Sequence, residues 1–481
     1  MSLRGNLALA AVALILAAGV WWFEFRGAEQ RVAEVAAARL VLGIEAGSVR
    51  GLELPLAGGG RVRLARDAAG AWRLEAPLEF PADTAAVDEI IRALAELSSE
   101  AVIEDPPEDL APFGLDETRQ TVRISEGETP TLELALGGDT PFGASRYVMV
   151  MRGPSRIFTV ARFRTRSLAP ELDGLRDRRL ARFDPGQVSR VSLRSPEGLV
   201  FRAERADSGS AQGSAQEWKI VAPLETAADD RRIRRLLQDL ASARASGFVD
   251  APEEGRRYGL APAERRIEIE TATGVHELEL GREAGGVFLR SSGVSSLLEL
   301  EDRVFRAVPE DLFAYREKQV LRLDDARVRR LRLEFPRDGQ SYGFVRDDRS
   351  WSPDRELSMP VDSLRVDDVV YALRDLEATG IEAASAPAEL ALLGLDPPMV
   401  RVVLEAEDGQ ELGWLELAGP EPSVGMAARS SQSGRIWRVR NDLAEDVPMG
   451  LEAFENRFLE APAGESTADS GLPADATSSG P

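Results

Sequence analysis

The chain has 481 residues, 43% of them hydrophobic, and a formal net charge of −22. That length suffices for about three globular cores, while the acid excess excludes a phosphate-neutralising nucleic-acid surface and an electrostatic dock on anionic lipid. Cysteine is absent, which excludes disulfides, thiol nucleophiles, thiolate metal sites, iron–sulfur clusters and a lipoprotein anchor, and suits an oxidising compartment.

From Leu7 to Phe23 the sequence carries no charge. Gly5 to Phe25 is about the 20 residues that a bilayer-spanning helix needs. Trp21, Trp22 and Phe23 stand at its distal end, where aromatic rings favour the interface. This predicts an N-terminal transmembrane anchor over 1–25 and a juxtamembrane linker over 26–39. A cleaved signal peptide is the alternative, but it calls for small residues where the bulky WWF stands. With Arg4 ahead of the segment, the short N-terminus is expected to stay on the cytoplasmic side of the membrane. The chain would be single-pass, its bulk extracytoplasmic (periplasmic), and its lipid contact would be this helix.

Trp72, Trp218 and Trp351 open three comparable segments, each with an Asp eleven residues on: Asp83, Asp229 and Asp362. Four aliphatic positions follow each Asp at +4, +7, +8 and +11. They are Val87, Ile90, Ile91 and Leu94; Ile233, Leu236, Leu237 and Leu240; Val366, Val369, Val370 and Leu373. That is the apolar stripe of a helix with Asp at its N-cap. An apolar residue recurs at +19: Val102, Phe248 and Ile381. A bulky residue then precedes a Gly-Leu pair: Phe113-Gly114-Leu115, Tyr258-Gly259-Leu260 and Leu393-Gly394-Leu395. Alternating segments follow, among them Thr121 to Ile124, Arg266 to Glu270 and Val400 to Leu404, and they read as half-buried strands. Gly137, Gly281 and Gly419 close the second strand of each pair. The second copy carries a surplus in the Gly/Ser-rich 207–216, read as a loop insertion.

The expected fold class is therefore α+β: an N-terminal transmembrane helix, then three tandem antiparallel-sheet-plus-helix repeat units. The units are placed at 40–178, 179–318 and 319–459, with a disordered tail over 460–481. These repeated residues carry a resemblance. The Trp-strand, Pro77 to Asp83, Pro223 to Asp229, the Tyr/Phe-Gly-Leu and the ARFD and LRLD segments resemble the DUF4340 family, a domain-of-unknown-function family, over about residues 40 to 458. The third copy departs from it at Glu356 and Ala418. The resemblance implies a single-pass envelope protein, auxiliary to ABC-type transport systems of the gliding-motility type. It brings no catalytic residues to carry over.

His276 is the only histidine, so any Ser-His-Asp triad would have to use it. Its alternating surroundings place it on a strand face turned to solvent. Asp83, Asp229 and Asp362 are best explained as helix caps. The GGDTPFG stretch at 137–143 lacks the Lys of a phosphate loop and reads as a hairpin. The three tryptophans read as core anchors, and the Arg-rich 231–235 and 327–333 as solvated faces. No catalytic, cofactor-binding or metal residue is expected, and no cofactor. The expected function is a non-enzymatic accessory or scaffold subunit that binds an ABC-type permease or another envelope protein. The alternatives are an envelope glycan hydrolase using a carboxylate pair and a surface structural or adhesion protein.

Overall fold

The computed structural model describes residues 39–459, apart from 104–107, 118, 128–131, 152–155, 207–216, 254–256, 348–349, 356–359 and 385–386. The expected anchor at 1–25, the loop insertion at 207–216, Glu356 and the tail at 460–481 lie outside the described residues.

The first copy is one nine-stranded antiparallel sheet. Its strands are β1 (Gly51–Pro55), β2 (Arg61–Arg66), β3 (Trp72–Ala76), β4 (Phe80–Pro81), β5 (Ala101–Ile103), β6 (Gln120–Ser125), β7 (Leu132–Asp139), β8 (Ser145–Val150) and β9 (Arg156–Ala161), in the order β4-β3-β2-β1-β6-β7-β8-β9-β5. Helix α1 (Thr84–Ala95) leaves the β4 edge, and the chain re-enters the sheet as β5 at the opposite edge. One face is set by alternation: Leu52 lies opposite Leu64 and Ile124, and Ile124 opposite Leu132, all buried. The stripe Val87, Ile90, Ile91 and Leu94 of α1 is buried as well.

A second nine-stranded sheet repeats this order between Val188 and Leu300, and an eight-stranded sheet does so between Arg330 and Val439. Their helices are α2 (Asp230–Ser242) and α3 (Ser363–Arg374). By packing, the chain divides into two bodies. One holds residues up to 225 with 231–311; the other holds 226–230 with 312 onward.

The expected α+β class is corrected to mainly antiparallel β. Strands outnumber helical segments throughout, and short ones such as β5 also enter the ladder, so each helix of 12 or 13 residues serves a sheet of eight or nine strands. The membrane-spanning part of that class is withdrawn too. Among the described residues no helix is long and apolar enough to cross a membrane. Thirteen residues rise only about 20 Å, against a hydrocarbon core of about 30 Å.

The outer face of each sheet carries a second, smaller core. In the first copy Leu115, Ala135, Met149 and Ile157 pack with Phe113 and Tyr147. Tyr258, Leu260, Phe288 and Leu297 do so in the second, and Leu395, Ala418, Ala427 and Ile436 in the third. The bulky-Gly-Leu segment is the lid of this outer core in every copy.

Candidate functional site

Two of the three recurring aspartates cap helices by the bonds they accept. Asp83 Oδ1 accepts from Ala85 N at 2.9 Å and Ala86 N at 3.3 Å, and Asp362 accepts from Leu364 N at 3.0 Å. Asp229 stands one residue before α2. The amides of all three donate to the carbonyl of a buried side chain's residue on the segment that ends the unit: Leu175 at 2.9 Å, Tyr315 at 2.8 Å and Phe458 at 2.9 Å. Trp72, Trp218 and Trp351 are buried. His276 is half-buried, not turned to solvent: its ring lies 5.8 Å from that of Phe183, and its Nε2 is buried with no hydrogen-bond partner among the described residues. An imidazole against an aromatic ring is a packing arrangement: His276 lies opposite the buried Ile269 and shares the alternation of the buried Leu278 and Leu280, so its face is the core face. Residues 137–143 form the end of β7 and the hairpin to β8. Residues 231–235 lie on α2, and 330–333 on a strand.

Three places hold unusual chemistry. The first is the link between the first two copies. The Arg176 side chain is fully buried and makes a two-pronged bond to Asp250, Nη1 to Oδ1 at 2.9 Å and Nη2 to Oδ2 at 2.7 Å. Ser296 Oγ donates to the same carboxylate at 2.8 Å. The guanidinium carbon lies 5.3 Å from the Phe80 ring and 4.7 Å from that of Phe248. Burial pushes the Asp250 carboxyl up, but the bonds from Arg176 and Ser296 outweigh it and hold it below the usual carboxylate range. Asp177 beside it behaves likewise: burial raises it, and Arg179 with Arg182 more than reverses the shift.

The second place is an open groove of about 630 Å³ on the third unit. Its walls include Asp368, Asp375, Glu377, Asp442, Glu445 and Asp446. Asp375 is held low by its bond from Arg374, the opposite of the raised carboxyl that a glycosidic general acid needs. No group of three or more potential metal ligands occurs among the described residues.

The third place is one end of the first sheet. Phe142, at the tip of the β7–β8 hairpin, is 92% exposed, and Phe163, just after β9, is 68% exposed. The hairpin is well ordered by Thr140 Oγ1, which donates to the carbonyl of Phe142 at 2.9 Å or to that of Ser145 at 3.2 Å. Arg162 ties the two segments together. Its amide donates to Ala144 O at 2.8 Å, and its Nη1 meets Asp139 Oδ2 at 3.0 Å. Two large apolar rings therefore stand on a hydrogen-bonded end beside Asp139, Arg162 and Arg164. Neither recurs: the second copy's hairpin reads Ala284-Gly285, and the third's carries Val424. The sequence does name Phe142 within GGDTPFG, but nothing in a hairpin motif says that the ring projects.

Compared with known proteins, the chain matches the model of a domain of unknown function, DUF4340, over residues 72–217 and again over 218–358. No curated protein matches, and no solved structure does.

Proposed function

The chain belongs to the DUF4340 family, and on that premise we propose that it is a non-enzymatic scaffold or accessory protein. Its partner would be another protein of the cell envelope, on the extracytoplasmic side. An ABC-type transport subunit is the partner class that the family resemblance implies. The observation that carries the reading is the pair Phe142 and Phe163. Large exposed aromatics held on ordered backbone and ringed by charged side chains are the ingredients of a protein-binding hot spot. The cysteine-free composition supports the compartment. The two family matches fall on consecutive repeats, and repeated units offer extended surfaces for contact.

The test is affinity purification of the full chain from its native cells, with the co-purifying envelope proteins quantified. Changing Phe142→Ser and Phe163→Ser together should cut retention of the main partner at least tenfold and leave Tm within about 1 °C, since exposed rings add little to folding. Retention at the wild-type level by the double variant would refute the reading.

A further inference from the structure

We infer that Arg316, Arg435 and Thr226 in the second body form a binding site for a carboxylate that no described residue supplies. Arg316 is the counterpart of Arg176. The backbone of Arg176 bridges Ala82, and that of Arg316 bridges Ala228 in the same antiparallel way. Glu317 N donates to Ala227 O at 3.1 Å, as Asp177 N does to Pro81 O at 2.9 Å. In an antiparallel pair, side chains two residues apart share a face. Thr226 therefore stands toward Arg316 as Phe80 stands toward Arg176. On the other side of this face, Arg435 Nη1 donates to Thr226 Oγ1 at 3.1 Å.

The two places differ in what meets the guanidinium. Arg176 has Asp250. Counted from Phe248 and Ile381, the position of Asp250 is Ala383 in the third copy. Ser296 lies one residue before the strand Leu297–Leu300, and Arg435 opens the corresponding strand Arg435–Val439. So the link between the second and third copies keeps the buried arginine, has Ala383 in place of the Asp250 carboxylate, and brings in a second arginine. Arg316 is only 8% exposed. Its Nε, like that of Arg176, is fully buried without a hydrogen-bond partner among the described residues. Neither Arg316 nor Arg435 makes an ion pair with any described residue.

A buried arginine with no anion is costly, because its desolvation is not offset. The first link shows what offsets it in this fold: the Asp250 carboxylate, held by two guanidinium nitrogens and one hydroxyl, with Asp173 as a second carboxylate 3.4 Å from Nη1. The second link presents two arginines, Arg316 and Arg435, and the hydroxyl of Thr226. A carboxylate fits that set by charge and by its hydrogen-bonding capacity. It could come from an aspartate or glutamate of a partner or from a free carboxylic acid. The inference is independent of the phenylalanine patch and would stand without it.

The test uses the full chain with sodium acetate titrated against sodium chloride at constant ionic strength, followed by Tm. Wild type should gain stability with acetate in a saturable way. Arg316→Met should weaken the apparent affinity at least tenfold, and Arg435→Met should weaken it in the same direction, a second handle if Arg316→Met folds poorly. Asp250→Ala, which removes the carboxylate that two nitrogens of Arg176 hold and leaves only the longer pair to Asp173, should acquire a second acetate response that Arg176→Met does not show. A blocked aspartate peptide that binds at least tenfold tighter than acetate assigns the site to a protein side chain. Equal affinity assigns it to a free carboxylate. No acetate response in wild type, or an undiminished one in Arg316→Met and Arg435→Met, would overturn the inference.

Discussion

Trp72 and Trp351 each donate from Nε1 to an aspartate of the following helix, to Asp88 at 3.2 Å and to Asp367 at 2.8 Å. An arginine of the preceding strand lies over each indole and reaches the same aspartate: Arg66 at 3.3 Å and Arg346 at 3.3 Å. In the second copy the helix position carries Arg234, and the carboxylate has moved to Glu217. There it meets Arg205, which lies over Trp218, and also Arg234. The burial of these tryptophans was legible in the sequence, since their spacing to an apolar stripe was constant. The ionic partners were not, because the carboxylate changes place between copies. Trp218→Ala should cost about 3–5 kcal/mol, the usual range for emptying a buried aromatic site, read from denaturant melts. A loss below about 1 kcal/mol would mean that the indole is not a core anchor. Asp250 makes a second test at this scale. Its folded carboxyl is held below the unfolded value, so its contribution is present above the unfolded pKa of about 3.9 and is lost as pH falls through the lower folded value. Wild type should therefore lose stability below about pH 4 more steeply than Asp250→Asn, although the variant is the less stable protein near pH 7. Parallel slopes in the two would contradict the assignment.

At the scale of elements, the Gly-Leu motif gains a cause. Gly114 and Gly259 have φ of 62° and 67°, the left-handed region. A Cβ on Gly259 would meet Arg282 N at 2.3 Å, and one on Gly281 would meet Gly259 O at 2.2 Å. The lid backbone thus lies directly on the strand backbone, which only paired glycines allow. In the third copy Ala418, not Gly419, holds the place of Gly137 and Gly281, since it follows Leu417 as they follow Leu136 and Leu280. The lid there stands further off, and a Cβ on Gly394 would find its nearest atom at 3.5 Å. Gly259→Ala should then combine left-handed strain of about 1–2 kcal/mol with overpacking of about 1–3 kcal/mol. Gly394→Ala should show the strain alone. Equal losses in chemical denaturation would contradict this packing. The sequence carried these glycines plainly, but a spacing argument cannot tell a turn glycine from one that lets two backbones touch. The outer core and the far-edge strand β5 were hidden for a related reason: short three-residue strands carry too little alternation to be read.

Across the whole molecule, recurrence and singularity divide the work. What recurs in three copies is the aspartate ahead of the helix, the core indole, the lid glycine and the closing segment, all consumed by the fold. What occurs once is Phe142 and Phe163 on the first sheet, both exposed, and Arg435 in the second body, which has Ser296 in its place in the preceding copy. The repeat architecture could be read from periodic positions because three copies reinforce each other. The binding features could not, since a singular residue has no pattern behind it. The measurement that tests this division most directly is hydrogen exchange on the free chain and on the chain with its co-purified partner. Added protection should fall on residues 139–145 and 162–168 of the first unit, with the amides of α1, α2 and α3 unchanged. Protection centred on those three helices, with the 139–145 hairpin unaffected, would show that the recurring elements themselves form the interface and would contradict the account.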